Sequence, residues 1–255
     1  MVKQIILPNP GNKPVQALYE RELVRLKKPG ALERRLAEFD SSKSVRRVYV
    51  MGSGRSGTWL LTYVMTTFSD VEVVPKELPV EYFGLLITDS PVLVLKRDRN
   101  AYQWTQQIPA NIEILYIVRH PYDVLTSHLP PLPRPYFIIP ERWVGELTAL
   151  RYLVESKRKK VAIVRYEDLV TDPVEWQAKL GDFFQLKIRV PIDTIHTTSK
   201  NPSESPLHRW RKIDTSSIGK HKHDPAKVAY LAQIKPQLGE VLDWVGKTYD
   251  YDLTL

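Results

Sequence analysis

One short segment of the sequence, residues 52–58, combines three glycines with two serines, an arginine and a threonine, and reads GSGRSGT. Glycine lets the backbone wrap closely around an anion, whose oxygens then accept hydrogen bonds from backbone N–H groups and hydroxyl groups. Arg55 adds a positive charge within the loop. The segment therefore predicts a loop that binds a phosphate or sulfate group, and a tight turn without a ligand is the alternative.

This loop differs from the phosphate-binding loop of nucleoside triphosphatases. Their pattern, G-x-x-x-x-G-K-[ST], has a lysine after the last glycine, where this chain has Thr58, and the cation here is Arg55. A magnesium-binding aspartate would also be expected at the end of a following strand. The apolar run at residues 112–118 is instead followed by Arg119. Both differences argue against an ordinary ATPase.

Arg119 and Ser127 form a second candidate anion site. Residues 112–118 are typical of a buried parallel strand, which would carry Arg119 to the carboxyl edge of the sheet, where ligands bind. Pro121 suits the first turn of a helix, and Ser127 would lie about two turns into that helix. Its hydroxyl could share an anion with the guanidinium. The alternative is a serine that is solvated or bonded to its own helix.

The hydrophobic pattern predicts the elements that position these residues. From residue 45 onward, β-like runs alternate with helical stretches, which predicts a single α/β domain, a three-layer sandwich with a mostly parallel sheet. The predicted strands cover residues 45–51, 71–74, 92–95, 112–118 and 161–165. The predicted helices of this domain cover residues 58–68, 121–129, 141–157 and 174–184. Residues 1–44 are predicted to be a helical arm, with helices at 15–28 and 30–39, that caps the domain or makes contacts in a homodimer.

Composition limits the class of protein. The 37 basic and 29 acidic residues give a net charge of +8, which suits anionic ligands. The absence of cysteine excludes a disulfide framework, a thiolate-bound metal and a catalytic thiol. Apolar runs fall short of the about 18 to 20 residues that a membrane span needs, and the first one stops at Pro8, too early for a signal peptide. We expect a soluble, cytoplasmic protein.

Three motifs resemble those of the PAPS-dependent sulfotransferases. They are residues 54–58 (GRSGT), residues 118–121 (VRHP) with Ser127 eight residues after the arginine, and residues 164–169 (VRYEDL). Their order and spacing match that family over most of the chain. The resemblance implies a P-loop-like fold without a metal. It also implies transfer of a sulfuryl group from 3'-phosphoadenosine 5'-phosphosulfate (PAPS) to a hydroxyl of a carbohydrate or small-molecule acceptor, with 3',5'-ADP (PAP) as product.

The same resemblance implies a role for each motif in holding the donor. The 5'-phosphosulfate would be held by Gly54, Arg55, Ser56, Gly57 and Thr58. Arg119 and Ser127 would hold the 3'-phosphate, and Tyr166 would lie near the adenine. Trp59 stands where many members have a second threonine, so a hydroxyl is missing there and the indole could instead shape the adenosine pocket.

A basic segment near the C-terminus, residues 207–212 (LHRWRK), resembles the segment with which members of the family close over the donor. This resemblance makes Arg209, Trp210 and Lys212 candidate nucleotide contacts. A solvated basic loop is the alternative.

Asp98 is the leading candidate for the general base. Many relatives have a histidine or an acidic residue after the strand that precedes the 3'-phosphate strand, and residues 92–98 here read VLVLKRD. We expect this strand to lie adjacent to the one that carries Arg119. The flanking cations Lys96, Arg97 and Arg99 should lower the pKa of Asp98, and an ion pair with one of them is its alternative role.

Other residues are assigned to the reaction by the same reasoning. Arg55 would stabilise charge on the leaving phosphate, and Lys96 would contact the bridging oxygen or the acceptor. His128 and Glu81 are reserve candidates for the base. His221 and His223 lack a ligand set, so we expect them to be solvated and expect no metal.

The loop at residues 130–140, with Tyr136, Phe137 and Trp143, is the expected acceptor wall, suited to a sugar ring or a hydrophobic alcohol. Two other functions stay open. One is a phosphotransferase related to P-loop kinases, and the other is a non-catalytic protein that binds nucleotides or polyanions. Nothing resembling an aromatic and basic nucleic-acid module stands out, so we expect no nucleic-acid partner.

Overall fold

A single five-stranded sheet organises the computed structural model, which describes residues 13–40, 44–129, 135–156, 160–198 and 212–255. The strands are β1 (Arg46–Gly52), β2 (Val71–Leu78), β3 (Val92–Arg97), β4 (Ile112–Val118) and β5 (Val161–Arg165). They lie in the order β2-β3-β1-β4-β5, and every pair is parallel. All carboxyl ends therefore meet at one edge of the sheet.

Helices connect these strands and cover the sheet. They are α1 (Lys13–Leu26), α2 (Ala31–Asp40), α3 (Thr58–Thr66), α4 (Pro121–Leu125), α5 (Pro140–Glu155), α6 (Tyr166–Thr171), α7 (Pro173–Phe184), α8 (Ile195–Thr198) and α9 (Pro225–Tyr249). Two 3-10 helices cover Val80–Gly84 and Ala101–Gln107. Within the described ranges, no helix has both the length and the apolar character needed to cross a bilayer.

The core has two halves because successive side chains of a strand point to opposite faces of the sheet. Val48 and Val50 of β1 pack in one hydrophobic cluster, with residues of α3 and α7, whereas Tyr49 and Met51 pack in the other, with residues of α5 and α9. Apolar side chains are therefore buried on both faces of the sheet. This confirms the expected three-layer α/β architecture.

The five strands appear where the hydrophobic pattern predicts them, and β4 and β5 match to the residue. Two predictions were wrong. Helix α4 ends at Leu125, so Ser127 lies after the helix, where its carbonyl accepts a hydrogen bond from the Phe137 N–H. Strand β3 is not adjacent to β4, because β1 lies between them. The long helix α9, which contains Pro236 and a non-helical Gly239, was not predicted.

The N-terminal arm is helical, as expected, and it packs on the domain. Leu26, Leu32 and Leu36 are buried in the same hydrophobic cluster as β1 and α5. The arm therefore packs against the 3-10 helix Val80–Gly84. The domain boundary at residue 45 and a homodimer through the arm stay predictions.

Candidate active site

The glycine-rich loop joins β1 to α3 at the carboxyl edge of the sheet. Gly57, with φ 103°, precedes α3, and no side chain among the described residues caps this helix. Uncapped N–H groups at the start of a helix suit an anion. A Cβ at Gly57 would lie 2.7 Å from the Tyr166 ring, and one at Gly52 would lie 2.7 Å from the Ile117 carbonyl oxygen. Only glycine fits this close approach of the loop to β4 and α6.

The serines of the loop bond within the protein. The buried Ser56 hydroxyl donates to the Ser53 carbonyl at 2.7 Å. The Ser53 hydroxyl donates to the carboxylate of Glu146, which also accepts the Gly54 N–H at 3.1 Å. The Ser56 hydroxyl therefore stabilises the conformation of the loop.

Arg55, Arg119 and Ser127 converge beside the loop, whereas the sequence motifs assigned Arg55 to one anion site and Arg119 with Ser127 to a second one. The Nε of Arg55 donates to the Ser127 hydroxyl at 2.9 Å, and the Nη1 of Arg119 donates to the Arg55 carbonyl at 3.1 Å. Desolvation and the neighbouring charge of Arg119 lower the pKa of the Arg55 guanidinium. Two guanidinium groups and a hydroxyl therefore lie close together, and guanidinium groups make strong hydrogen bonds to anions.

Tyr166 lies next to both motifs. Its ring lies 4.4 Å from the Arg119 guanidinium carbon, in a cation-π contact, and touches the position of Gly57. Strand β5 and the start of α6 place this aromatic ring beside Arg119.

Asp123 and His221, which sequence reasoning did not identify as site residues, connect a C-terminal segment to Arg119. The buried Asp123 carboxylate accepts the N–H groups of Gly219 and His221 and bonds to the His221 Nδ1 at 2.8 Å. Burial opposes ionisation of Asp123, but the hydrogen bonds from His221 and Gly219 and the charge of Arg119 lower its pKa overall. Asp123 lies four positions after Arg119, and this spacing is the signal that could have identified Asp123 from the sequence.

His221 is therefore buried, not solvated as expected, and its ring stacks on His120 at 4.7 Å. His223 is exposed, in agreement with the expectation. The Arg119 Nη2 donates to the Ser217 carbonyl at 2.6 Å, so the segment of residues 214–222 approaches Arg119. Arg209 and Trp210 lie outside the described residues, and Lys212 is exposed.

Asp98 lies half-buried just after β3, and the shift of its pKa is opposite to the one expected from the sequence. Burial raises its pKa, and this effect exceeds the opposing effects of the Asn100 N–H and the charges of Arg97 and Lys27. A flanking set of cations had been expected to lower that pKa. A raised pKa makes the carboxylate a stronger base.

Lys96 and Glu81 accompany Asp98. Lys96 is buried, pairs with Glu77, and holds its ammonium nitrogen 4.5 Å from the Trp59 ring. Burial lowers the pKa of Lys96 to about 8. Burial also raises the pKa of Glu81, which interacts electrostatically with Asp98.

No family model matches this chain, and no curated protein matches it in sequence. Solved structures match it in fold. The sulfotransferase domain from the curacin biosynthetic pathway matches with a TM-score of 0.58 at 16% identity, over 82% of this chain and 99% of that one. The sulfotransferase domain of the Synechococcus PCC 7002 olefin synthase matches with a TM-score of 0.57 at 17% identity, over 82% and 95%. Mouse sulfotransferase SULT7A1, complexed with PAP, matches with a TM-score of 0.52 at 15% identity, over 86% and 94%.

The chain has the sulfotransferase fold. The expected fold class is thereby confirmed, including the strand, glycine-rich loop and helix at residues 46–66. At this level of identity the comparison concerns the fold, and the roles of individual residues depend on the geometry of the site.

Within this sulfotransferase fold, the prediction of an acceptor wall was wrong for one of its three aromatic residues. Trp143 has 1% of its surface exposed and packs in the core, so it cannot line an open pocket. Tyr136 packs on Tyr230 at 4.5 Å between ring centres. The reserve base His128 is exposed and its Nδ1 lies 2.9 Å from the Pro135 carbonyl. Residues 130–134 of this loop lie outside the described part of the chain.

Among the described residues, no three His, Asp or Glu side chains are grouped as a metal site would require.

Proposed function

We propose that this protein is a PAPS-dependent sulfotransferase that transfers a sulfuryl group to a hydroxyl of a saccharide or of a small alcohol or phenol. The observation that carries the proposal is the convergence of Arg55, Arg119 and Ser127 beside the uncapped start of α3. Two positive charges at one sheet edge match a donor with two separated phosphate groups.

The residues present suit the donor. The buried Nε of Arg119 has no hydrogen-bond partner among the described residues, so this guanidinium retains a donor for an anion. Arg119 and Ser127 would hold the 3'-phosphate, with Tyr166 near the adenine. The amides of residues 54–58 and Arg55 would hold the 5' end, where Trp59 borders the site and Ser56 keeps the loop in shape.

PAPS would supply the sulfuryl group and the 5'-phosphate that leaves. In the transfer, the acceptor oxygen forms a bond to sulfur while the bond from sulfur to the 5'-phosphate oxygen breaks, and the bonding electron pair goes to that phosphate. Asp98 accepts the proton of the acceptor hydroxyl, which its raised pKa favours. Lys96 and Arg55 provide positive charge for the leaving phosphate.

Titration calorimetry with three nucleotides tests this function. We expect 3',5'-ADP to bind tightly and both MgATP and adenosine 5'-phosphosulfate to bind weakly, because the last two lack the 3'-phosphate that Arg119 and Ser127 would hold. Tighter binding of MgATP would refute the proposal in favour of a phosphotransferase. Tight binding of 3',5'-ADP without transfer to any hydroxyl in a broad acceptor screen with labelled PAPS would leave a nucleotide-binding protein.

A further inference from the structure

A cavity of about 190 Å³ lies between the N-terminal arm and the two 3-10 helices. The arm contributes Lys27, Gly30 and Glu33, and the 3-10 helices contribute Glu81, Trp104 and Gln107. This volume equals that of about six water molecules and is below the range of about 300 to 1,000 Å³ typical of drug-sized ligands. The cavity therefore has room for one ring-sized group.

Trp104 gives the cavity an exposed aromatic wall. Its side chain is 43% exposed, although a tryptophan of a soluble domain usually buries most of its surface. The amide of Gln107, the ammonium of Lys27 and the carboxylate of Glu33 surround the same space. A sugar ring matches this combination, because its C–H face can lie on an indole while its hydroxyls exchange hydrogen bonds with polar groups.

One residue of the cavity lining, Glu81, interacts electrostatically with the proposed base. Lys27, which follows α1, interacts electrostatically with both Asp98 and Glu81. Glu81 itself lines the cavity and is 6% exposed. A ligand in the cavity is thus close to the Glu81 carboxylate, which interacts electrostatically with Asp98, the residue that we assign to proton removal.

We propose that this cavity is the acceptor site and that it takes a neutral sugar ring, with one face on Trp104 and a hydroxyl directed toward Asp98. The inference rests on the proposed sulfotransferase function and names its acceptor class. Neutrality follows from the lining, in which Lys27 and Lys28 are balanced by Glu33 and Glu81. The N-terminal arm then forms part of the active site.

Saturation-transfer NMR and calorimetry on the full chain test the proposal, with 3',5'-ADP present and absent. The probes are methyl glycosides of glucose, galactose and N-acetylglucosamine, together with 4-nitrophenol and hexanol. We expect at least one glycoside to bind and Trp104→Ala to weaken its binding about tenfold, as expected for the loss of one aromatic contact. Gln107→Ala, at an exposed position, should also weaken it.

Tyr152→Ala is the matched control, because Tyr152 is 39% exposed on α5 and does not line the cavity. Its glycoside affinity should equal that of the wild type. Binding of 4-nitrophenol or hexanol without any glycoside would overturn the inference, and so would glycoside binding that neither Trp104→Ala nor Gln107→Ala weakens. Binding of 3',5'-ADP without glycoside binding would refute this inference alone. Glycoside binding without 3',5'-ADP binding would instead refute the sulfotransferase function and, with it, the acceptor role.

Discussion

The carboxylate of Glu146 accepts a hydrogen bond of 3.1 Å from the backbone N–H of Gly54. The same carboxylate pairs with Arg142 at 2.9 Å and with Arg97 at 3.5 Å, and Arg97 donates to the Asp98 carbonyl. Glu146 is 2% exposed. One buried side chain of α5 therefore joins the glycine-rich loop to the segment that carries the proposed base.

Glu146→Gln should lower the free energy of unfolding by about 3 to 5 kcal/mol, because it leaves Arg97 and Arg142 buried without their negative partner. Urea denaturation measures the change. Glu155→Gln is the control on the same helix, where Glu155 forms an exposed pair with Arg151, and it should change the free energy of unfolding very little. Equal effects of the two substitutions on the free energy of unfolding would show that the buried pairs of Glu146 contribute no more than an exposed pair.

Arg119→Ala should weaken 3',5'-ADP binding about tenfold to a hundredfold, the effect of removing one charge-assisted contact. Binding of 5'-AMP, which lacks the 3'-phosphate, should change far less. Calorimetry with both nucleotides separates the two effects. Equal weakening for both nucleotides would show that Arg119 supports the loop, through its bond to the Arg55 carbonyl, and does not hold the 3'-phosphate.

Asp98→Asn should keep 3',5'-ADP affinity and lower turnover by about two orders of magnitude or more, since the amide keeps the shape of the side chain and cannot accept the proton. The measurement follows labelled PAPS with the acceptor found in the screen. Glu81→Gln is the comparison, because Glu81 is also buried with a raised pKa. Normal turnover in Asp98→Asn, together with a large loss of turnover in Glu81→Gln, would show that Glu81 is the general base.

Lys96 should make stability depend on pH above neutrality. In the folded protein burial lowers its pKa to about 8, whereas in the unfolded chain the amine keeps its proton to about pH 10.4. Between about pH 8 and 10 the unfolded state therefore binds more protons, so the contribution of Lys96 to stability rises with pH. We expect the free energy of unfolding of the wild type, relative to Lys96→Met, to increase between pH 8 and pH 10 in urea titrations. A difference that is constant or falls over this interval would contradict the lowered pKa.

The same proton loss should limit catalysis. Below about pH 8 the ammonium of Lys96 offers positive charge to the leaving phosphate, and above it this charge disappears. We expect kcat/KM to fall as pH rises through about 8. In Lys96→Arg, whose guanidinium stays protonated, any remaining activity should lack this alkaline decline. A wild-type profile that is flat from pH 7 to pH 9.5 would exclude a role for the Lys96 charge.

Much of the site could be predicted because it depends on residues close together along the chain. Apolar runs such as Ile112–Val118 determine strands, and the glycines at residues 52–57 determine a turn that only small residues can form. Parallel strands then bring their carboxyl ends to one edge, which is why Arg55 and Arg119, each of which follows a strand, lie close together there. These features follow from local periodicity and from the types of residue at strand ends.

Other properties were decided only by contacts between segments far apart in the chain. The order of the strands placed β1 between β3 and β4, and packing buried His221, whose basic and polar neighbours in sequence give no sign of burial. The pKa of Asp98 is raised because burial outweighs its basic neighbours, which the charges in the sequence cannot reveal. Glu146 reaches Gly54 across 92 positions of the chain. Desolvation and long-range pairing depend on which surfaces meet, so tertiary structure alone determines them.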